Sequence, residues 1–247
     1  MGVLYPKASA FVGSLFTPSK GLLAWSPVLV LGFAGLVPFW RAVPTRGAAI
    51  LRGFQVALPV LFVSSMVYWD GGWTVSQRHL TPLVPFLLAP MACLLDRSVS
   101  ARIVAPGLAA ASVLATGLAT VVYPHLPESV VNPFHDLTVP LAVGGCLAST
   151  PLEPAVSAVA CTVAVAGAFV LLVLLCVALL PGGLRCKVLA TLALVLLPLG
   201  WWEGTSRISR LEPDALKEEQ SYFIGQCKVA KRWNEATKVP GNPGRKK

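Results

Sequence analysis

Charge is what this chain has least of: Asp, Glu, Lys and Arg together make up 13% of its residues, against 55% that are hydrophobic. A water-soluble domain carries about 25% charged residues, so a globular core in water does not account for this composition. Acidic residues are the scarcer sign, 11 against 20 basic, which leaves few carboxylates for acid–base chemistry. Cysteine is present but not in a metal or redox arrangement. There is no Cys-x-x-Cys. Cys93, Cys161 and Cys176 lie inside apolar runs, Cys146 borders one, and Cys186 and Cys227 lie outside them, the distribution of small packing residues in a membrane interior. Also missing are Gly-x-Ser-x-Gly, a Walker A loop, a dinucleotide glycine fingerprint and His-Glu-x-x-His, which removes the most legible hydrolase, nucleotide and zinc-protease chemistries. Residues 1–20 lack the features of a cleaved signal peptide, so membrane insertion is expected to be directed by the spans themselves.

What is present is apolar length. Mean hydropathy is +0.70, and the apolar residues gather in runs of roughly 20, the length that crosses a hydrocarbon core about 30 Å thick. The pattern predicts an all-α, polytopic integral membrane protein with about six transmembrane helices. They are placed at about 21–40, 48–69, 79–95, 103–123, 155–180 and 186–202, within a helical domain covering 1–202. Trp25, Trp40 and the Trp201-Trp202 pair fall where interfacial aromatics belong. The long connection 124–154 holds a moderately apolar piece, 137–147, too short to span and read as re-entrant or interfacial. The rest, 203–247, is a polar tail in which Leu216, Phe223, Cys227 and Ala230 fall at helical spacing after Pro213, predicting a short amphipathic helix.

The net charge of +9 invites a nucleic-acid reading, but half of the basic residues lie at span ends or in short connections and the other half in 203–247. No basic stripe with interleaved stacking aromatics is visible, so nucleic acid is not an expected partner. The basic residues instead orient the chain. Arg41, Arg46, Arg52, Arg97, Arg102, Arg185 and Lys187 fall to one face and Arg78 alone to the other. Positive-inside places the first set in the cytoplasm, so the 70–81 loop, the 124–154 loop and the tail are expected outside.

Those two outer connections hold nearly all the polar chemistry that is not in the tail. The first carries Asp70, Trp73, Gln77, Arg78 and His79, the second His125, Glu128, Asn132, His135 and Asp136. An arginine at the hydrocarbon boundary can take a lipid phosphate by paired, charge-assisted hydrogen bonds, and a neighbouring histidine can add a donor. The plainer alternative makes Arg78 and His79 interfacial anchors or partners of Asp70, and His125, Asn132, His135 and Asp136 polar residues of an ordinary ordered loop. The histidine spacing in that loop is no recognised metal pattern, so no metal ligands are assigned.

Thr17-Pro-Ser-Lys-Gly-Leu-Leu-Ala-Trp-Ser-Pro27, then a span, basic residues, a second span and Trp69-Asp-Gly-Gly-Trp-Thr-Val-Ser-Gln-Arg-His-Leu-Thr-Pro82-Leu-Val-Pro85, resembles the C-terminal half of bacterial family 39-like membrane glycosyltransferases. These are GT-C enzymes related to dolichyl-phosphate-mannose mannosyltransferases and aminoarabinose transferases. The Tyr123-Pro-His-Leu-Pro and Asn132-Pro-Phe pieces are also similar, and the resemblance covers about 15–140. It implies transfer of a sugar from a polyprenyl-phosphate donor on the non-cytoplasmic face of a bacterial inner membrane, often with a divalent cation. It also implies that Arg78 and His79 take the phosphate while Trp73 and Gln77 shape the sugar or head-group side. The acidic outer loop that carries the base in such enzymes has no counterpart among the residues before the first span, so no catalytic residue is assigned and a separately encoded N-terminal half is an implied partner. Two other readings stand beside this one: a non-catalytic membrane scaffold or partner subunit, and a transporter, which the uncharged span interiors disfavour.

Overall fold

The computed structural model describes residues 5–42, 46–72, 74–122, 130–143 and 183–206, together with isolated helical positions between 167 and 178 and at 222, 223 and 225. Among the described residues all regular elements are helical. In chain order they are α1 (Ala8–Phe16), α2 (Leu22–Trp25), α3 (Leu29–Ala42) and α4 (Arg46–Ser64). A 3-10 turn, Arg78–Leu83, then runs directly into α5 (Val84–Arg97), followed by α6 (Val99–Val122), a π turn at Phe134–Thr138 that opens α7 (Val139–Val143), and α8 (Leu184–Ser206).

Among the described residues three helical stretches are long and apolar enough to cross a membrane: Arg78–Arg97, Val99–Val122 and Leu184–Ser206. They coincide with the third, fourth and sixth spans expected from the sequence. The first expected span, 21–40, is not one helix. It is broken between α2 and α3 at Ser26 and Pro27, because proline offers no N–H and disfavours helical geometry in the residue before it; Ser26 sits at φ −134°, ψ 67°. What remains, α3, has 14 residues and so reaches only about 21 Å. The second expected span, 48–69, is helical only as far as Ser64. The fifth, 155–180, is described only at isolated helical positions between 167 and 178, and the tail residues Leu216, Cys227 and Ala230 lie outside the described residues. The sequence also missed α1, whose first turn is tied to the end of α4 by Lys7 N–H donating to the Ser64 carbonyl at 3.0 Å.

Small residues set the packing. Gly32 and Gly35 of α3 face α5, where an added Cβ at Gly32 would come 2.7 Å from Leu87 Cβ and one at Gly35 would meet the Pro90 carbonyl. The two helices therefore run in parallel with their backbones in near contact, and Arg97 at the end of α5 donates to the Pro38 carbonyl of α3 at 3.2 Å. On α6, Gly107, Ala111, Ala115 and Ala119 recur every four residues and are turned inward, forming one helical face. Gly107 meets the Ala193 carbonyl of α8. In lipid, where apolar surface gains little from leaving the solvent, such close approach supplies the dispersion contacts that hold helices together.

The directions of these helices gather the basic residues at one end of the bundle. Arg41 and Arg97 close α3 and α5, Arg102 opens α6, and Arg185 and Lys187 open α8. At that end Arg52 lies over the Phe39 ring, 5.5 Å from its centroid. The opposite end holds residues 65–72 and 74–83, the strap 17–26 and the π turn. Beneath it, Leu80, Leu83 and Leu87 are fully buried with Val60 and Val63 of α4.

Candidate functional site at the less basic end

The loop between α4 and the 3-10 turn is built on left-handed backbone. Gly71 (φ 79°) and Gly72 (φ 72°) adopt it freely, and Ser76 (φ 58°) adopts it at a cost. The result folds the start of the loop onto its end. A Cβ at Gly71 would lie 3.2 Å from Gln77 Oε1, 3.3 Å from Arg78 Cγ and 3.6 Å from His79 Cδ2. Gln77, Arg78 and His79 therefore gather around Gly71, next to Asp70. Both Arg78 and Asp70 act electrostatically on His79. Trp73 lies outside the described residues.

The four are not equivalent. Gln77 is buried, and its amide is spent on the loop: Nε2 donates to the Trp69 carbonyl, and Oε1 accepts from the His79 backbone N–H at 3.4 Å. It shapes the loop from within. Arg78 is exposed, and among the described residues its guanidinium has no hydrogen-bond or ion-pair partner. An unpaired, always-charged fork with five N–H donors at the head of a membrane-length helix is equipped for bidentate binding of an oxyanion.

The second group of predicted residues has a different use. Asn132 is buried and its Nδ2 donates to the Thr205 carbonyl of α8 at 2.6 Å. His135 Nε2 lies 3.0 Å from Thr205 Oγ1. Together they dock residues 130–143 on the end of α8, where unpaired carbonyls need donors. Phe134 is the hub of an aromatic cluster, with edge-on neighbours Trp201 at 5.0 Å, Trp202 at 5.6 Å and Trp25 at 6.2 Å between ring centroids. His135 stands edge-on to Trp202 at 4.7 Å. Burial lowers the pKa of His135, with Asp136 and a backbone contact to Trp202 opposing that shift. Asp136 is buried in the π turn. His125 lies outside the described residues, and among those described no three His, Cys, Asp or Glu side chains converge as a metal set.

Two residues that the sequence did not assign to the site connect the groups: Trp25, expected at an interface, and Lys20. Trp25 is buried in the aromatic cluster, and its indole N–H donates to the Pro18 carbonyl at 2.9 Å, with the Ser19 carbonyl at 3.3 Å. Lys20 is 2% exposed, and its ammonium donates to the carbonyls of Gly72 at 2.6 Å and Thr74 at 2.9 Å. Val75 of the same loop packs on the aromatic cluster. In the sequence Lys20 stands as a cation beside an apolar run, within the Thr17 to Pro27 motif but with no role assigned. The break before α3 is also satisfied from outside, since the Val28 N–H donates to Ser112 Oγ of α6 at 3.1 Å, as irregular backbone at membrane depth requires.

Comparison with protein-family models, with curated proteins and with solved structures finds no match to this chain. The functional reading therefore rests on the residues themselves.

Proposed function

We propose that this chain is the lipid-phosphate-holding portion of a GT-C-like membrane glycosyltransferase. In this reading it crosses a bacterial cytoplasmic membrane about six times, the number its apolar runs allow. It receives a polyprenyl-phosphate sugar donor at the end that carries Arg78, the non-cytoplasmic face, where the tail also lies. The observation that carries the reading is the exposed guanidinium of Arg78, without a partner among the described residues, beside His79 and Asp70 at the mouth of the Arg78–Arg97 helix. A phosphate there would sit at the hydrocarbon boundary with its polyprenyl chain directed along the apolar helices. The concentration of basic residues at the opposite end supports this orientation by the positive-inside rule. The motif order from Thr17 to Pro85 supports the family assignment, and a separately encoded half would bring the acidic outer loop that chemistry requires.

The test is binding of polyprenyl phosphate to the full chain in lipid nanodiscs. Arg78→Ala is expected to weaken it by about tenfold or more, since a hydrogen bond to a charged group contributes about 1.5–3 kcal/mol. Equal affinity in the variant and the parent would end the phosphate role.

A second reading, a non-catalytic partner subunit, is favoured by one observation. Asn132 and His135 are engaged with Thr205 and so serve the fold. Copurification of an intact, separately active glycosyltransferase whose turnover ignores Arg78→Ala would select it.

A further inference from the structure

The loop that presents Arg78 has little regular backbone bonding of its own. Thr74 N–H donates to the Gly72 carbonyl at 2.8 Å and Leu80 N–H to the Gln77 carbonyl at 3.1 Å, while Gly71, Gly72 and Ser76 hold left-handed conformations. Such a segment opens easily unless something distant ties it down. The tie on this structure is Lys20, whose ammonium reaches the carbonyls of Gly72 and Thr74 from the other side of the bundle end.

Lys20 is in turn held from behind. Gly21 N–H donates to the Thr17 carbonyl at 2.7 Å, Thr17 Oγ1 donates to the Gly13 carbonyl at 2.7 Å, and the Trp25 indole grips Pro18. A continuous connection thus runs from the aromatic cluster through Trp25 and the 17–21 strap to Lys20, and from Lys20 to the turn whose Gly71 backs directly on Arg78 and His79. A buried lysine is expensive to keep away from water unless its donors are met. Apolar filling of the same space would need only its stem.

We propose that Lys20 is the positioning residue of this site: its buried ammonium fixes the Gly72 to Thr74 turn, and thereby sets Arg78 and His79 for an anionic ligand that Lys20 does not itself touch. The loop-holding role stands on geometry alone; the ligand role rests on the phosphate reading of Arg78.

The experiment compares Lys20→Met, which keeps the stem and removes the donors, with Lys20→Arg, which keeps a charged fork able to reach two carbonyls. Both are made in the full chain in nanodiscs, with hydrogen exchange and polyprenyl-phosphate binding as readouts. In Lys20→Met the amides of Thr74 and Leu80 are expected to exchange at least tenfold faster while those of Val99–Val122 keep their protection. Binding should fall at least tenfold, and Lys20→Arg should restore most of both. Unchanged exchange at Thr74 and Leu80 in Lys20→Met would overturn the proposal, as would full binding in that variant, because both would show that the stem suffices. If the parent chain itself binds no polyprenyl phosphate, the phosphate reading fails while the exchange result still decides the loop-holding role of Lys20. If Lys20→Met loses α6 protection as well, Lys20→Gln, which stays polar but whose amide nitrogen falls one bond short of the two carbonyls, is decisive. Selective exposure of the loop in it supports the proposal, and equal exposure of loop and α6 overturns it.

Discussion

At the scale of single residues, the less basic end of this bundle is governed by a few positions where backbone freedom or burial leaves no alternative. Gly71 stands at φ 79° with Gln77 Oε1 and Arg78 Cγ at 3.2 and 3.3 Å from where a Cβ would lie. Gly71→Ala is therefore expected to lower the opening free energy of the 70–80 loop by about 1–2 kcal/mol, the cost of a left-handed side chain, read as faster exchange of the Leu80 amide. His135 makes a pH-dependent contact. Because burial lowers its pKa from the ordinary 6.5, the unfolded chain takes up the proton first as the solution is acidified. The docking of 130–143 is thus at full strength above pH 6.5, weakens as pH drops below it, and stops changing once the folded-state value is passed. Exchange of the 134–143 amides measured from pH 8 to pH 5 should show that loss, and His135→Gln should remove its pH dependence. Arg78, Asp70 and His79 were recognisable in the sequence as a polar group at a membrane face. Lys20 was not, because a buried lysine and a solvated one look alike until the two carbonyls that hold it are known.

At the scale of elements, the long helices follow from composition, and the breaks follow from proline chemistry plus partners that composition does not reveal. Pro38, Pro59, Pro90 and Pro106 lie inside α3 to α6 without ending them, whereas Pro27 separates α2 from α3. The difference at Pro27 is that Ser112 on α6 supplies an acceptor for the freed Val28 N–H, a contact made only in the folded chain. The close pairing of α6 with α8 depends on Gly107. Gly107→Val would drive a side chain into the Ala193 carbonyl, and overpacking of this kind costs about 1–3 kcal/mol. The expected result is separation of the two helices, measurable as a longer distance between spin labels placed at the exposed Val113 and Val195. It should be accompanied by weakening of the contact between the Trp201 indole and the Ala24 carbonyl, now 2.8 Å.

At the scale of the whole molecule, two ends of different chemistry are separated by apolar helices, one rich in arginine and the other bearing the glycine-rich loop, the aromatic cluster and Arg78. In a background with the six native cysteines replaced, Ser76→Cys should react with a membrane-impermeant maleimide on intact cells, and Ser98→Cys only after permeabilisation. The reverse pattern would invert the proposed orientation. That the chain is helical and membrane-compatible was legible in the sequence, because the length of an apolar run and the scarcity of charge are properties of composition. The sequence also marked the ends of Val99–Val122 and Leu184–Ser206 to within a few residues, since charged or polar groups bound them. Only the tertiary structure decided that the first expected span is two helices and that Asn132 and His135 are spent on Thr205. The structure likewise placed the buried Lys20 ammonium on the carbonyls of Gly72 and Thr74. Each of these depends on a partner far away in sequence, and hydrogen bonds to distant carbonyls leave no periodicity for a sequence to display.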